Sequence, residues 1–272
     1  MTPYTMDDLL LLMARLRNPE DGCPWDLKQD FASIVPHTLE EVYELVDTIE
    51  QQDFEHLSEE LGDLLFQVVF YAQLGKEQQL FDFGLVVSGI VGKLLRRHPH
   101  VFPDGTLQSH ASDDNLSDQQ IRANWERIKQ QERKSKLQGG LLDDIPQALP
   151  AMSRAVKLQK RTATVGFDWA EPLDVIAKIE EETAEVIEAV SHKNTDAIED
   201  EIGDLLFAVT NLSRKLDINP ETALRRANDK FTRRFNAVEA LASERQQQLD
   251  ELELEQLDRL WDEVKKRLAG DA

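Results

Sequence analysis

One acidic pattern occurs twice in this chain, and both copies keep one offset. Glu40-Glu41-Val42-Tyr43-Glu44 is matched 141 residues later by Glu181-Glu182-Thr183-Ala184-Glu185. At the same offset of 141, with no gap, Glu60-Leu61-Gly62-Asp63-Leu64-Leu65-Phe66 is matched by Glu201-Ile202-Gly203-Asp204-Leu205-Leu206-Phe207. Two further blocks follow in the same order. Lys93-Leu94-Leu95-Arg96-Arg97 recurs as Lys230-Phe231-Thr232-Arg233-Arg234, and Trp125-Glu126-Arg127-Ile128-Lys129 as Trp261-Asp262-Glu263-Val264-Lys265. Chance gives one such block, hardly four in order, so the chain reads as two homologous halves, 1–138 and 141–272.

The halves read as helical. Leu9, Leu12, Met13 and Leu16 follow the i, i+3, i+4, i+7 template, as do Leu57, Leu61, Leu64, Leu65 and Val68. No run alternates as a strand would. Thr38 with Glu41 three residues later forms a capping box, which predicts a helix starting near Thr38. Pro103–Gln119 reads as a surface loop, and Ser135–Pro146, with Gly139 and Gly140, as the linker between the halves.

The repeated acids have a definite geometry. Glu182 and Glu185 are three apart and share one helix face, beside an expected buried stripe of Thr183, Val186, Ile187 and Val190. Glu201 and Asp204 stand in the same relation to Ile202, Leu205 and Leu206. The connection Ser191–Asp196 is short, and short connections make antiparallel neighbours. The four acids are mirror-placed about Lys193, so an antiparallel hairpin sets Glu182 level with Asp204 and Glu185 level with Glu201. Glu41, Glu44, Glu60 and Asp63 obey the same rule. One Glu-x-x-Glu pair in so acidic a chain would be a solvated helix face. Mirror placement beside an apolar stripe, repeated twice, instead predicts two carboxylate patches.

Four converging carboxylates raise one another's pKa unless a cation compensates them. An all-oxygen set suits Mg²⁺, with Mn²⁺ as the other candidate. Mg²⁺ keeps open positions for water and phosphate, which points to phosphoryl chemistry. A carboxylate-bridged di-iron bundle needs Glu-x-x-His, and none of the six His lies three after a Glu.

Charge narrows the partners. The net charge is −21, which disfavours nucleic acid and anionic membranes. A phosphate-bearing substrate must then be met locally, by metal or by clustered Lys and Arg. Cys23 alone excludes an intrachain disulfide and a Cys-rich zinc site. The N-terminus carries acids before its apolar run and bases after it, the wrong order for a secretory signal. These features point to the cytoplasm. His98 and His100 flank Pro99 and read as loop structure.

The paired EExxE…ExxD motifs, together with GCPWD (Gly22–Asp26), RRHPHVF (Arg96–Phe102) and GFDW (Gly166–Trp169), resemble the MazG family over nearly the whole chain. The resemblance implies an all-α fold of two homologous helical-bundle halves, a homodimer, Mg²⁺ dependence and nucleotide binding, ATP included. It implies hydrolysis of broad (d)NTPs to (d)NMP and pyrophosphate, linked to nucleotide-pool clearing and stringent-response control. It places catalysis in the second half, with metal ligands at Glu182, Glu185, Glu201 and Asp204; beside them, Glu181 or Glu182 is the expected residue to orient or deprotonate the attacking water. It places nucleotide contacts at Lys178, Ile179, Glu180, Glu181 and Glu182, at Ala197, Ile198, Glu199 and Asp200, and at Lys230, Arg234 and Trp261, with Lys265 close by. Ala197 stands where a relative has a basic residue.

Lys230 and Arg234, four apart, can reach one triphosphate or pair with surface acids. Trp261 can stack on a base or pack between helices, and Trp169 can stack or cap the core. The first half keeps Glu41, Glu44, Glu60, Asp63, Lys93, Arg97, Trp125 and Lys129, a secondary site that the resemblance marks as silent, structural or regulatory. Two other readings stay open: a non-catalytic nucleotide-sensing helical protein, and a narrower dUTPase-like or dCTPase-like hydrolase.

Overall fold

The computed structural model describes residues 3–110, 117–136 and 139–270. The chain forms two compact units, Met1–Lys136 and Leu137–Ala272. Among the described residues there is no strand, and each unit carries five α-helices in the same order.

In the first unit these are α1 (Met6–Leu16), α2 (Val35–Gln51), α3 (Phe54–Glu77), α4 (Phe83–Arg97) and α5 (Asp118–Lys136). In the second they are α6 (Ala151–Ala163), α7 (Pro172–His192), α8 (Thr195–Lys215), α9 (Pro220–Glu244) and α10 (Leu254–Gly270). The centre of each unit is an antiparallel hairpin, α2–α3 or α7–α8, and each turns on two residues. Gln52 and Lys193 close the first helix in the left-handed region, with φ of 59° and 54°. Asp53 and Asn194 then cap the next helix by accepting from His56 N and Ala197 N. The left-handed residue of α7–α8 is Lys193, the mirror centre of its acids, and Gln52 is its counterpart.

The first unit has a filled core. Met13 from α1, Ile34, and Val69, Phe70 and Leu74 from α3 pack together, all at most 2% exposed. Arg17 ties the chain after α1 to α3. Its guanidinium donates to Glu77 at 2.7–3.1 Å, to the Gln29 carbonyl at 3.2 Å and to the Asp26 carbonyl. In the second unit the buried apolar cluster lies elsewhere, between α9 and α10: Val238, Leu241, Ala242, Leu260 and Val264. The counterpart of the α1–α3 core is polar there, with Gln159, Thr210 and Asn211 buried.

Several expectations are corrected. α2 begins at Val35, not near Thr38, and Ile34 occupies its N-cap without a side-chain bond. Pro36 in the first turn fixes φ and starts the helix early. The Thr38 hydroxyl donates back to the Ile34 carbonyl at 3.1 Å and meets the Tyr71 hydroxyl at 3.0 Å, so it lies inside the helix. The apolar rows beside the acids are not buried within the chain. Thr183 is exposed, as are Ile187 (66%), Val190 (54%), Ile202 and Leu206, and likewise Leu61, Leu65 and Val68 on α3. In α1, Met13 is buried but Leu12 is half exposed. α1 packs on α3 and α6 on α8, and these rows stay uncovered.

The Pro103–Gln119 loop ends sooner than expected, because α5 starts at Asp118; residues 111–116 lie outside the described residues. The Ser135–Pro146 linker begins inside α5, and its residues 137–138 also lie outside the described residues. Its remainder is pinned rather than free. Arg161 donates to the Leu141 carbonyl at 2.8 Å and pairs with Asp144, and Ile145 is buried.

Candidate functional site

The site of the second unit is built by the α7–α8 hairpin. Glu182 on α7 and Glu201 and Asp204 on α8 each offer a carboxylate oxygen, and these lie within 4.8 Å of one another. Glu182 is 5% exposed, and its Oε2 is buried without a hydrogen-bond partner. Its Oε1 accepts from Lys178 Nζ at 2.7 Å, one helical turn earlier. Lys178 also reaches Glu181 at 2.8 Å, and the hydrogen bonds to Glu181 and then Glu182 hold its pKa well above the usual lysine range. Glu185 is outside the three-oxygen set. Its carboxyl is pushed upward by the neighbouring Glu182 carboxylate first, then by desolvation and by the charge of Glu201.

The first unit repeats the arrangement with Glu41, Glu60 and Asp63, again within 4.8 Å. Here the acids are screened differently. Gln67 Nε2 donates to Glu41 Oε1 at 3.3 Å. At the Lys178 position stands His37, 3.8 Å from Glu40. The Glu41 carboxyl is raised by desolvation and by the charges of Asp63 and Glu44, and that of Glu60 by desolvation, Glu44 and Asp63.

Both clusters fit a hard divalent cation. Two oxygens opposite each other on one Mg²⁺ stand about 4 Å apart, within the 4.8 Å limit that holds for each cluster. The donors are all oxygen, which excludes a soft-metal preference. The buried, unpartnered Glu182 Oε2 is the strongest point, since an orphaned carboxylate oxygen is costly without a partner.

The basic and aromatic residues lie on later helices. Lys230 and Arg234 are on α9, Trp261 and Lys265 on α10. The Arg234 guanidinium stands 6.0 Å from the Trp261 ring centroid, and Phe231 packs on the same ring at 5.3 Å. Lys265 pairs with Asp262 at 2.8 Å. Among the described residues, neither Lys230 nor Arg234 pairs with an acid. Ile179 and Glu180 lie on α7 before Glu182, and Ala197, Ile198, Glu199 and Asp200 lie near the start of α8, where the Ala197 N–H is taken by Asn194. In GFDW, Asp168 pairs with Arg214 and with Lys215 at 2.9 Å, and the Trp169 carbonyl accepts from Lys215.

In the first unit the equivalent of Arg234 is engaged. Arg97 on α4 donates twice to Glu132 on α5, at 2.6 and 3.1 Å, and Arg96 approaches the same carboxylate at 3.7 Å. Lys129 lies 4.2 Å over the Trp125 ring and bonds Glu126. Lys93 is on α4.

Sequence reasoning missed Gln67 at Glu41, Glu132 at Arg97, and the buried amides Gln159 and Asn211. Part of the signal was present. At the offset of 141, Gln67 corresponds to Ala208 and Phe70 to Asn211.

The profile of the MazG nucleotide pyrophosphohydrolase domain matches this chain twice, over residues 29–102 and 170–239. The chain belongs to the MazG family. Both matches contain a hairpin with its EExxE and ExxD acids. A relative called nucleoside triphosphate pyrophosphohydrolase, from Escherichia coli K12, is 47% identical over 264 residues, spanning 96% of this chain and 97% of that protein. The Thermotoga maritima MazG family member called nucleoside triphosphate pyrophosphohydrolase/pyrophosphatase is 42% identical, spanning 95% of each chain. An uncharacterised Bacillus subtilis protein, YabN, is 44% identical over 94% of this chain but only 50% of its own length.

Proposed function

We propose that this chain hydrolyses nucleoside triphosphates, ribo and deoxy alike, to the monophosphate and pyrophosphate, and that the second unit does so with Mg²⁺. The observation that carries the proposal is the buried Glu182 carboxylate with one unpartnered oxygen, facing Glu201 and Asp204 across the hairpin. Relatives that share nearly full length carry the name of that activity.

When bound, Mg²⁺ supplies charge neutralisation for the triphosphate and acidifies a coordinated water. Glu182, Glu201 and Asp204 would hold it, with Glu185 beside them. Lys178 bridges Glu181 and Glu182 with one ammonium group, which offsets their charge at the edge of the site. Glu181 is exposed and adjacent, so it serves as the base that takes the proton of the attacking water. The oxygen–phosphorus bond forms as the α–β phosphoanhydride bond breaks. Lys230 and Arg234, without acidic partners, neutralise the departing pyrophosphate.

The first unit keeps the acids but ties Arg97 to Glu132, which supports a structural or regulatory role for it. A homodimer is supported by the exposed apolar rows on α3, α7 and α8, which a second copy would cover. Nothing among the described residues is a helix long and apolar enough to cross a membrane, and a cytoplasmic place is part of this reading.

The test is pyrophosphate release from the eight common NTPs and dNTPs, with and without Mg²⁺. Mg²⁺-dependent release from most of them is expected, and this breadth would fit pool clearing and stringent-response control. Release from dUTP or dCTP alone would convert the reading to a narrow hydrolase. Binding without release would convert it to a sensor.

A further inference from the structure

Within its cluster, Glu182 already has a cation. Its Oε1 accepts from Lys178 Nζ at 2.7 Å, while Glu185, Glu201 and Asp204 form no ion pair among the described residues. The Glu182 side chain is nearly buried, and its other oxygen has no partner. A carboxylate in that position is costly when uncompensated. Lys178 thus does for the empty site part of what a metal ion would do for the filled one.

The two cations compete. A divalent ion bonded to Glu182 shares one carboxylate with the ammonium, and their like charges repel where solvent screening is weak. Lys178 is also able to leave. Its side chain is 31% exposed, against 6% for Glu182, and a flexible four-carbon stem carries the charge. It has a second holder in Glu181 at 2.8 Å, whose side chain is 58% exposed. An ammonium has three donors. Two of them serve Glu181 and Glu182, which leaves the third for a phosphate oxygen.

The first unit lacks this device. One turn before Glu41 stands His37, which approaches Glu40 instead. The Glu41 carboxylate takes a neutral donor, Gln67 Nε2 at 3.3 Å, from a side chain buried on α3. A neutral amide does not repel a metal ion, and one so buried cannot swing out to a phosphate.

We propose that Lys178 is a displaceable counterion. In the empty site it neutralises Glu182. A divalent cation binds there only by driving it off, and the triphosphate gives it a new partner while Glu181 keeps it near. Metal alone is therefore held weakly, and metal and triphosphate enter together. The inference rests on the proposed metal-dependent hydrolysis and adds an order of binding to it.

The test uses the full chain carrying Glu41→Ala, which removes one ligand of the first unit's cluster. Binding of Mn²⁺, read from the electron paramagnetic resonance signal of the free ion, is compared with calorimetric binding of the Mn²⁺–tripolyphosphate complex. Lys178→Gln is expected to tighten Mn²⁺ alone about tenfold and to weaken the complex about tenfold. An unchanged Kd for Mn²⁺ alone, with the complex weakened, would make Lys178 a phosphate contact only and overturn the inference. A second readout leaves Lys178 in place. Mg²⁺ alone should raise its acetylation by acetic anhydride about threefold, quantified by mass spectrometry, as the ion pair opens. Unchanged labelling would overturn the inference as well. If the chain releases no pyrophosphate from ATP while both readouts behave as expected, the hydrolase reading fails and the counterion stands.

Discussion

α3 and α8 carry the same acids at the same places, yet their neighbours differ. Around α3 the space beyond the acids is packed with Met13, Ile34 and Phe70, Glu41 is hydrogen-bonded by Gln67, and Arg97 is tied to Glu132. Around α8 the corresponding space is a mostly apolar cavity that includes Gln159 and Asn211 in its lining, Glu182 keeps an unpartnered oxygen, and Lys230 and Arg234 have no acidic partner among the described residues. The lesson is that a ligand set does not make a site. On the proposed reading, catalysis also needs unspent cations and room for the rest of the substrate, and these favour the second unit.

The comparison can be broken from the packing side. Phe70→Asn should destabilise the first unit by about 4 kcal/mol, the cost of emptying a fully buried aromatic site, read as faster hydrogen exchange in α3. A loss below about 1 kcal/mol would mean that the first unit is not a filled version of the second.

A smaller effect sharpens it. Glu132→Gln releases Arg97 from a half-buried ion pair and should cost about 1 kcal/mol of stability. On a Glu182→Ala background it should also tighten inorganic tripolyphosphate binding about threefold, measured by calorimetry. An unchanged Kd would show that the first unit is silent for a reason other than its engaged cations.

The parts legible in the sequence were those set by spacing. The offset of 141 gave the two units, and the mirror placement about Lys193 gave the hairpin, because helical rise and a short turn fix which residues lie level. Ile187 and Val190 were misread as buried because periodicity reports an apolar row, not what covers it. Thr38 was misread because a local capping pattern competed with Pro36, in the first turn of a helix that starts three residues earlier, at Val35. Gln159, Asn211 and Glu132 were missed because their roles come from partners 35 to 48 residues away or from a neighbouring helix. The recurrence of Phe70 as Asn211 was visible, but only a structure shows that this exchange opens a cavity.

The most direct test is pyrophosphate release from ATP by the full chain carrying Glu182→Ala or Glu41→Ala, measured side by side with Mg²⁺. The account predicts at least about a hundredfold loss for Glu182→Ala, with Glu41→Ala within about twofold of wild type. Equal losses, or a loss confined to Glu41→Ala, would contradict it.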